Sequence, residues 1–125
     1  MVNFLVVGIG GFLGSCTRYV ISLLVSQWPH FPFGTLLSNV IAALVIGFII
    51  GVERQTTLLP EQAKLFLTVG LLGGLSTFSA FSMETVTMLE RGRYVHAAGN
   101  VLINVTVCIA LVFAGLALAK LTVRA

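Results

Sequence analysis

The chain has 125 residues, of which 58% are hydrophobic and 9% charged. A soluble domain carries about 25% charged residues, so this surface is not one for water, and a single membrane domain over residues 1–125 is expected. The net charge of +3, from 7 basic and 4 acidic residues, is too small and too scattered to imply nucleic acid.

A helical span needs about 20 mostly apolar residues, and four segments qualify, which predicts an all-α fold. The first runs from about Asn3 to Ser26. MVNFLVV at its start has no basic region and no small-residue cleavage site follows, so no cleavable signal is expected. Arg18 lies deep in this span, and Val20–Val25 continue the apolar run beyond it. A membrane arginine costs several kcal/mol unless paired or snorkelled, which makes it a functional candidate. Raising the local potential for an anion and anchoring backbone carbonyls are equally open roles.

The loop QWPHFP follows, with Trp28, Phe31 and two prolines suited to the interface. The second span runs from about Phe33 to Val52 and carries Asn39 in GTLLSN. Taken alone, a membrane Asn reads as an interhelical hydrogen-bonding residue.

The third span starts near Glu61, after Pro60, and ends near Arg91. It is longer than one crossing needs. Gly70–Met83 reads GLLGGLSTFSAFSM, with three glycines, four hydroxyls and two phenylalanines. Each Gly costs about 1 kcal/mol relative to Ala in a helix interior. Irregular backbone at membrane depth is tolerated only where protein buries it or a water-filled cavity solvates it. The stretch therefore predicts a break, with Gly73–Ser76 as the irregular turn and Thr77–Phe81 resuming the helix. Phe78, Phe81 and Glu84 fall roughly along one helix face. A phenyl ring has a positive edge, and Thr77, Ser79 and Ser82 flank the pair with hydroxyls. Such a set suits a small anion that has shed water. For Glu84, accepting hydrogen bonds and being protonated are both open.

The fourth span runs from about Val95 to Leu121. Asn100, Asn104 and Cys108 form a polar stripe on one of its faces. A polar track beside the Phe pair is the sharper reading, and an interhelical hydrogen-bond ladder is the plainer one. Cys16 and Cys108 lie in apolar runs and read as small buried hydrophobes. His30 and His96 have no partner at metal-ligand spacing, and no nucleophile or phosphate-binding motif is present, so an enzyme is not expected.

Loop charges set orientation. The side with both termini carries Arg54, Lys64, Lys120 and Arg124; the other carries Arg91 and Arg93, with Arg18 able to snorkel there. So weak a bias leaves room for insertion in both orientations and pairing with an inverted copy. Gly10-x3-Gly14, Gly47-x3-Gly51, Gly70-x3-Gly74 and Ala110-x3-Ala114 allow close helix approach. Packing within the chain and association between chains are equal readings of these pairs.

These residues resemble the Fluc family of fluoride channels, also called CrcB. The likeness spans essentially the whole chain. It rests on Gly14-x3-Arg18, on Gly34-Thr35-Leu36-x2-Asn39, and on the long motif Gly70-x2-Gly73-Gly74-x-Ser76-Thr77-Phe78-Ser79-x-Phe81. The resemblance implies a passive channel that exports fluoride across a bacterial inner membrane, as an antiparallel dual-topology homodimer with two pores. It implies that Phe78 and Phe81 form aromatic boxes and that Asn39 donates to fluoride or holds the rings. Thr77 and Ser79 would sit alongside, with Asn104 on the polar track, Glu84 near its end and Arg18 near an entrance. It also implies a structural sodium ion at the dimer centre, bound by the backbone carbonyls of Gly73 and Ser76. Ser76 stands where the family often has Thr, and Asn100 and Cys108 where it often has Tyr and Ser.

Two rival readings exist. A small multidrug exporter, also four-span and dual-topology, depends on a first-span glutamate, and here that span carries Arg18 and no acid. A non-transporting membrane assembly subunit would use its polar residues for packing alone.

Overall fold

The computed structural model describes residues 1–125. Its helices are α1 (Val2–Leu24), α2 (Phe33–Thr56), α3 (Glu61–Leu65), a π-helical segment (Phe66–Leu72), α4 (Gly73–Leu75), α5 (Phe78–Glu90) and α6 (Tyr94–Arg124). Four stretches are long and apolar enough to cross a membrane: α1, α2, the composite Glu61–Glu90, and α6. Only 19 of the 125 residues are buried, and Phe4, Phe12, Phe113 and Leu121 all point outward. An outer surface of this kind is solvated by lipid rather than water.

α2 runs one turn past the expected Val52. The extra turn is held by Gln55 Nε2 and Thr56 Oγ1, which donate to the carbonyls of Gly51 and Val52. Thr57, left-handed at φ 48°, ends it. Glu53 also meets Lys64 across the loop at 3.4 Å, so charged residues that looked like loop belong to a paired helix end. At the opposite face of the domain, Trp28, Phe31 and Phe33 cluster ring to ring. Arg93 donates from Nη2 to the His30 carbonyl and ties this loop to the α5–α6 turn.

Two helix pairs build the body, α1 with the third span and α2 with α6. Both are glycine crossings. A Cβ on Gly14 would lie 2.1 Å from the Leu71 carbonyl oxygen, and one on Gly74 would lie 2.5 Å from that of Gly11. In the second pair, a Cβ on Gly115 would lie 2.3 Å from the Leu44 oxygen. The glycine pairs of the sequence are therefore used inside the chain, whereas Ala110 and Ala114 are exposed.

The break falls later than expected. Gly73 is helical (φ −65°, ψ −37°), and the chain leaves the helix at Ser76 (φ −77°, ψ 151°) and Thr77 (φ −150°, ψ 113°). Gly73 and Gly74 are thus not the irregular residues; at Gly74 the missing side chain admits the α1 backbone. The π-helical stretch ahead of the break has no counterpart in the sequence reading. A π turn inside an α-helix is rare and often marks a functional site.

Candidate functional site

Two extended residues inside a membrane span leave backbone groups that need partners. Asn39, reaching across from α2, supplies the main ones. Its Oδ1 accepts from Thr77 N–H at 2.7 Å, and its Nδ2 donates to the Thr77 carbonyl at 3.4 Å. One side-chain amide thus pairs with one backbone residue on both of its edges. Thr77 then caps α5, its Oγ1 accepting from Ala80 N–H at 3.1 Å. Thr77 Oγ1 also lies 3.3 Å from Ser79 Oγ. Since Thr77 Oγ1 already accepts at the cap, its own proton remains available to Ser79 or to a passing acceptor.

On the N-terminal side, Ser76 Oγ donates back to the Leu72 carbonyl at 2.9 Å. Arg18 donates from Nε to the Gly74 carbonyl at 3.2 Å. Of the two roles open for Arg18 in the sequence, this contact is the carbonyl anchor.

Phe78 and Phe81 begin α5 with ring centroids 5.4 Å apart and planes tilted by 48°. Phe81 is 8% exposed and Phe78 is 78% exposed. Both line an open cavity of about 480 Å³ together with Asn39, Thr77, Asn104 and Cys108. Gly73 and Ser76 also border it. The cavity therefore collects most of the residues singled out in the sequence, with Ser79 beside Thr77. Glu84 and Arg18 are not among its walls. Glu84 borders a second, smaller cavity of about 230 Å³ with His30, Arg91 and Arg93. Its Oε1 accepts from Thr35 Oγ1, while Oε2 is buried without a partner. In the sequence Thr35 stands out only as a member of the Gly34–Asn39 motif, with no role of its own. Its place four residues before Asn39, on the same α2 face, was the available signal.

The polar stripe of α6 is a hydrogen-bond ladder. Asn39 Nδ2 donates to Asn104 Oδ1 at 3.2 Å. Asn104 Nδ2 donates to Asn100 Oδ1 at 2.9 Å and to its backbone carbonyl at 3.0 Å. Asn100 Nδ2 donates to Thr85 Oγ1 at 3.0 Å, and Thr85 Oγ1 donates to the Phe81 carbonyl at 2.8 Å. Asn39 thus spends donors on both Asn104 and Thr77 O. Cys108 stands outside the ladder as a free thiol.

The break also bears on whether a cation fits. In an unbroken helix Thr77 N–H would donate to Gly73 O and Ala80 N–H to Ser76 O. Both donors are diverted, to Asn39 and to the Thr77 hydroxyl. The Gly73 and Ser76 carbonyls have thereby lost their helical partners, and neutral carbonyl oxygens are the donor type a hard cation takes. The residues fit such an ion.

Residues 5–116 match the family described as CrcB-like protein, Camphor Resistance (CrcB). A protein of Clostridium perfringens (strain 13 / Type A) named "Fluoride-specific ion channel FluC" is 42% identical over 119 residues, covering 94% of this chain and 93% of its own. The so-named protein of Geobacter metallireducens is 41% identical over 126 residues, covering 96% and 98%. That of Shewanella pealeana is 44% identical over 117 residues, covering 92% and 94%. With the family matched over most of its length and such relatives along nearly all of it, the chain belongs to the CrcB family.

Proposed function

We propose that this chain is a passive fluoride-selective channel, working as an inverted homodimer with two pores in the bacterial inner membrane. The observation that carries the reading is the Phe78–Phe81 pair seated at a break that Asn39 holds open, on the wall of one cavity. The names of the relatives supply the ion.

The chemistry suits that ion. Fluoride is small and strongly hydrated, so a selective path must replace water with donors in a narrow space. Ring edges of Phe78 and Phe81 present positive potential, and the Thr77 and Ser79 hydroxyls present protons. None of these is a fixed cation that would trap the ion, and conduction needs binding weak enough to leave. Asn39 serves here by holding Thr77 and the start of α5, since it already donates to Asn104 and to Thr77 O. Asn104 supports it from α6. Glu84 and Arg18 lie off the cavity, toward the ends of the path and behind the break.

The dimer supplies what one chain leaves open. Phe78 is 78% exposed beside an open cavity, which a second copy would close. A sodium ion held between the copies by Gly73 and Ser76 carbonyls would supply positive potential between the two paths. Hydrogen fluoride enters cells from acidic surroundings and dissociates inside. A passive pathway lets the anion leave down the membrane potential.

The test is fluoride efflux from liposomes containing the purified chain. Efflux with little chloride flux is expected, and it should fall sharply in Phe78→Ile and Phe81→Ile. Equal behaviour of the two anions would overturn the function. Efflux indifferent to both substitutions would overturn the site.

A further inference from the structure

We propose that Asn100, which touches neither the break nor the cavity, is a positioning residue. Through Asn104 and Asn39 its amide fixes the direction of a hydrogen-bond relay that holds Thr77 N–H in place. The inference rests on the channel reading for its consequence, but its geometry stands apart from it.

The relay has one allowed direction, and the chemistry at its two ends sets it. At one end is a backbone N–H, Thr77, which can only donate. At the other is a backbone carbonyl, Phe81, which can only accept. Between them stand three side-chain amides and one hydroxyl. Thr85 has a single hydroxyl proton, and it goes to Phe81 O. The Thr85 oxygen can therefore only accept from Asn100, which must turn its NH2 that way and its oxygen toward Asn104. Asn104 must then present its NH2 to Asn100 and its oxygen to Asn39. Asn39 in turn presents its NH2 to Asn104, which leaves its oxygen for Thr77. Flipping any one amide sets donor against donor and acceptor against acceptor.

Asn100 is the link best placed to enforce this order, being 0% exposed. Neither water nor lipid can substitute for a lost partner there, and an unmatched buried polar group costs more than a hydrogen bond contributes. Chains of aligned hydrogen bonds also polarise one another. The relay connects the first and second turns of α5, through Phe81 O and Thr85, to the residue that caps its start. The aromatic pair lies between those anchors, so its backbone is fastened at both ends by one set of bonds.

Two substitutions of similar size separate positioning from packing. Asn100→Asp, uncharged in a site without water or a counter-ion, keeps an oxygen for Asn104 and an O–H for Thr85, and Asn100→Leu keeps neither. If Asn100 only fills space in a lipid-embedded helix, Leu should be tolerated and Asp should not. Positioning requires the reverse. The full chain in liposomes is measured for fluoride efflux, and the same chain in nanodiscs for backbone hydrogen exchange at Thr77. Exchange at Gly115, in the α2–α6 crossing, serves as the control for folding.

Asn100→Leu should raise exchange at Thr77 about tenfold with Gly115 still protected, the scale of one lost buried hydrogen bond. Efflux should fall alongside. Asn100→Asp should leave both within about threefold of the parent chain. Thr85→Val, outside the α2–α6 packing, should raise Thr77 exchange in the same direction and decides the matter should Asn100→Leu unprotect Gly115. Unchanged Thr77 exchange in Thr85→Val and Asn100→Leu overturns the proposal, as does a chain that tolerates Leu and not Asp. If the parent chain passes no fluoride, the channel reading fails, and the exchange data still judge the relay.

Discussion

The two glycine crossings of this domain are built alike and end differently. In both, backbone meets backbone where a Cβ would clash, at Gly47 and Gly115 in one and at Gly14 and Gly74 in the other. Yet α2 and α6 pass through their crossing as unbroken helices, while the third span breaks just after its own. Glycine content therefore does not break the helix. What distinguishes the second crossing is a set of competing polar partners. Asn39 captures Thr77 N–H, the Thr77 hydroxyl captures Ala80 N–H, and Arg18 occupies the Gly74 carbonyl. Glycine brings the helices close, and side-chain hydrogen bonds open the backbone.

The largest effect should come from filling a crossing. Gly14→Ala sets a Cβ 2.1 Å from a backbone oxygen, and Gly115→Ala sets one 2.3 Å from another. Backbone cannot step aside as a flexible side chain can, so each should cost about 3 kcal/mol, the upper range for an overpacked core. Thermal unfolding in detergent measures this. If close approach is all the glycines provide, the two variants should lose similar stability although only one lies near the break.

Removing the captor comes next. Asn39→Leu leaves Thr77 N–H and the Asn104 oxygen without their protein partners. A loss of about 2 kcal/mol is expected, with fluoride efflux nearly abolished. Hydrogen exchange at Thr77 tests the cause. Protection that survives would mean the span has closed into continuous helix, with Thr77 N–H on Gly73 O, and that polar capture is what keeps it open.

Arg18→Leu should act more mildly. It removes one charged donor from the Gly74 carbonyl and one membrane charge whose retention is costly. The two partly cancel, so stability should move by about 1 kcal/mol or less. Efflux should fall severalfold, and Arg18→Lys should not fully restore it, because the contact is made by the planar Nε.

Much of this was legible in the sequence, for identifiable reasons. Span number and placement follow from apolar run length, which sums over many residues and tolerates local exceptions. The helix of α2 continues past the apolar run that ends at Val52, because Glu53 there is paired with Lys64. The break falls after Gly73 and Gly74, although both advertise irregular backbone, and nothing in a linear sequence shows that an α1 backbone needs the space at Gly74. The π-helical turn at Phe66–Leu72 has no residue signature. The aromatic pair and Asn39 were visible through their motif. Asn100 was visible only as a stripe member, because its partner Thr85 lies 15 positions away on another helix.

The smallest expected effect bears most directly on what the break provides. Ser76→Thr keeps a hydroxyl that can reach the Leu72 carbonyl, and β-branched residues favour the extended backbone Ser76 already adopts. The backbone carbonyl, which is the group offered to a cation, is unchanged. Stability should shift by no more than about 0.5 kcal/mol, and efflux should stay within about twofold of the parent. A marked loss of efflux with stability intact would mean that the Ser76 side chain, rather than its carbonyl, faces the ion. The regular part of α2 offers the matching control. Ser38, fully buried on α2 with its hydroxyl unpartnered, sits in regular helix, so Ser38→Thr meets packed neighbours with no preference for extended backbone to gain. It should cost more than Ser76→Thr, and equal costs would erase the distinction between an opened backbone and a merely crowded one.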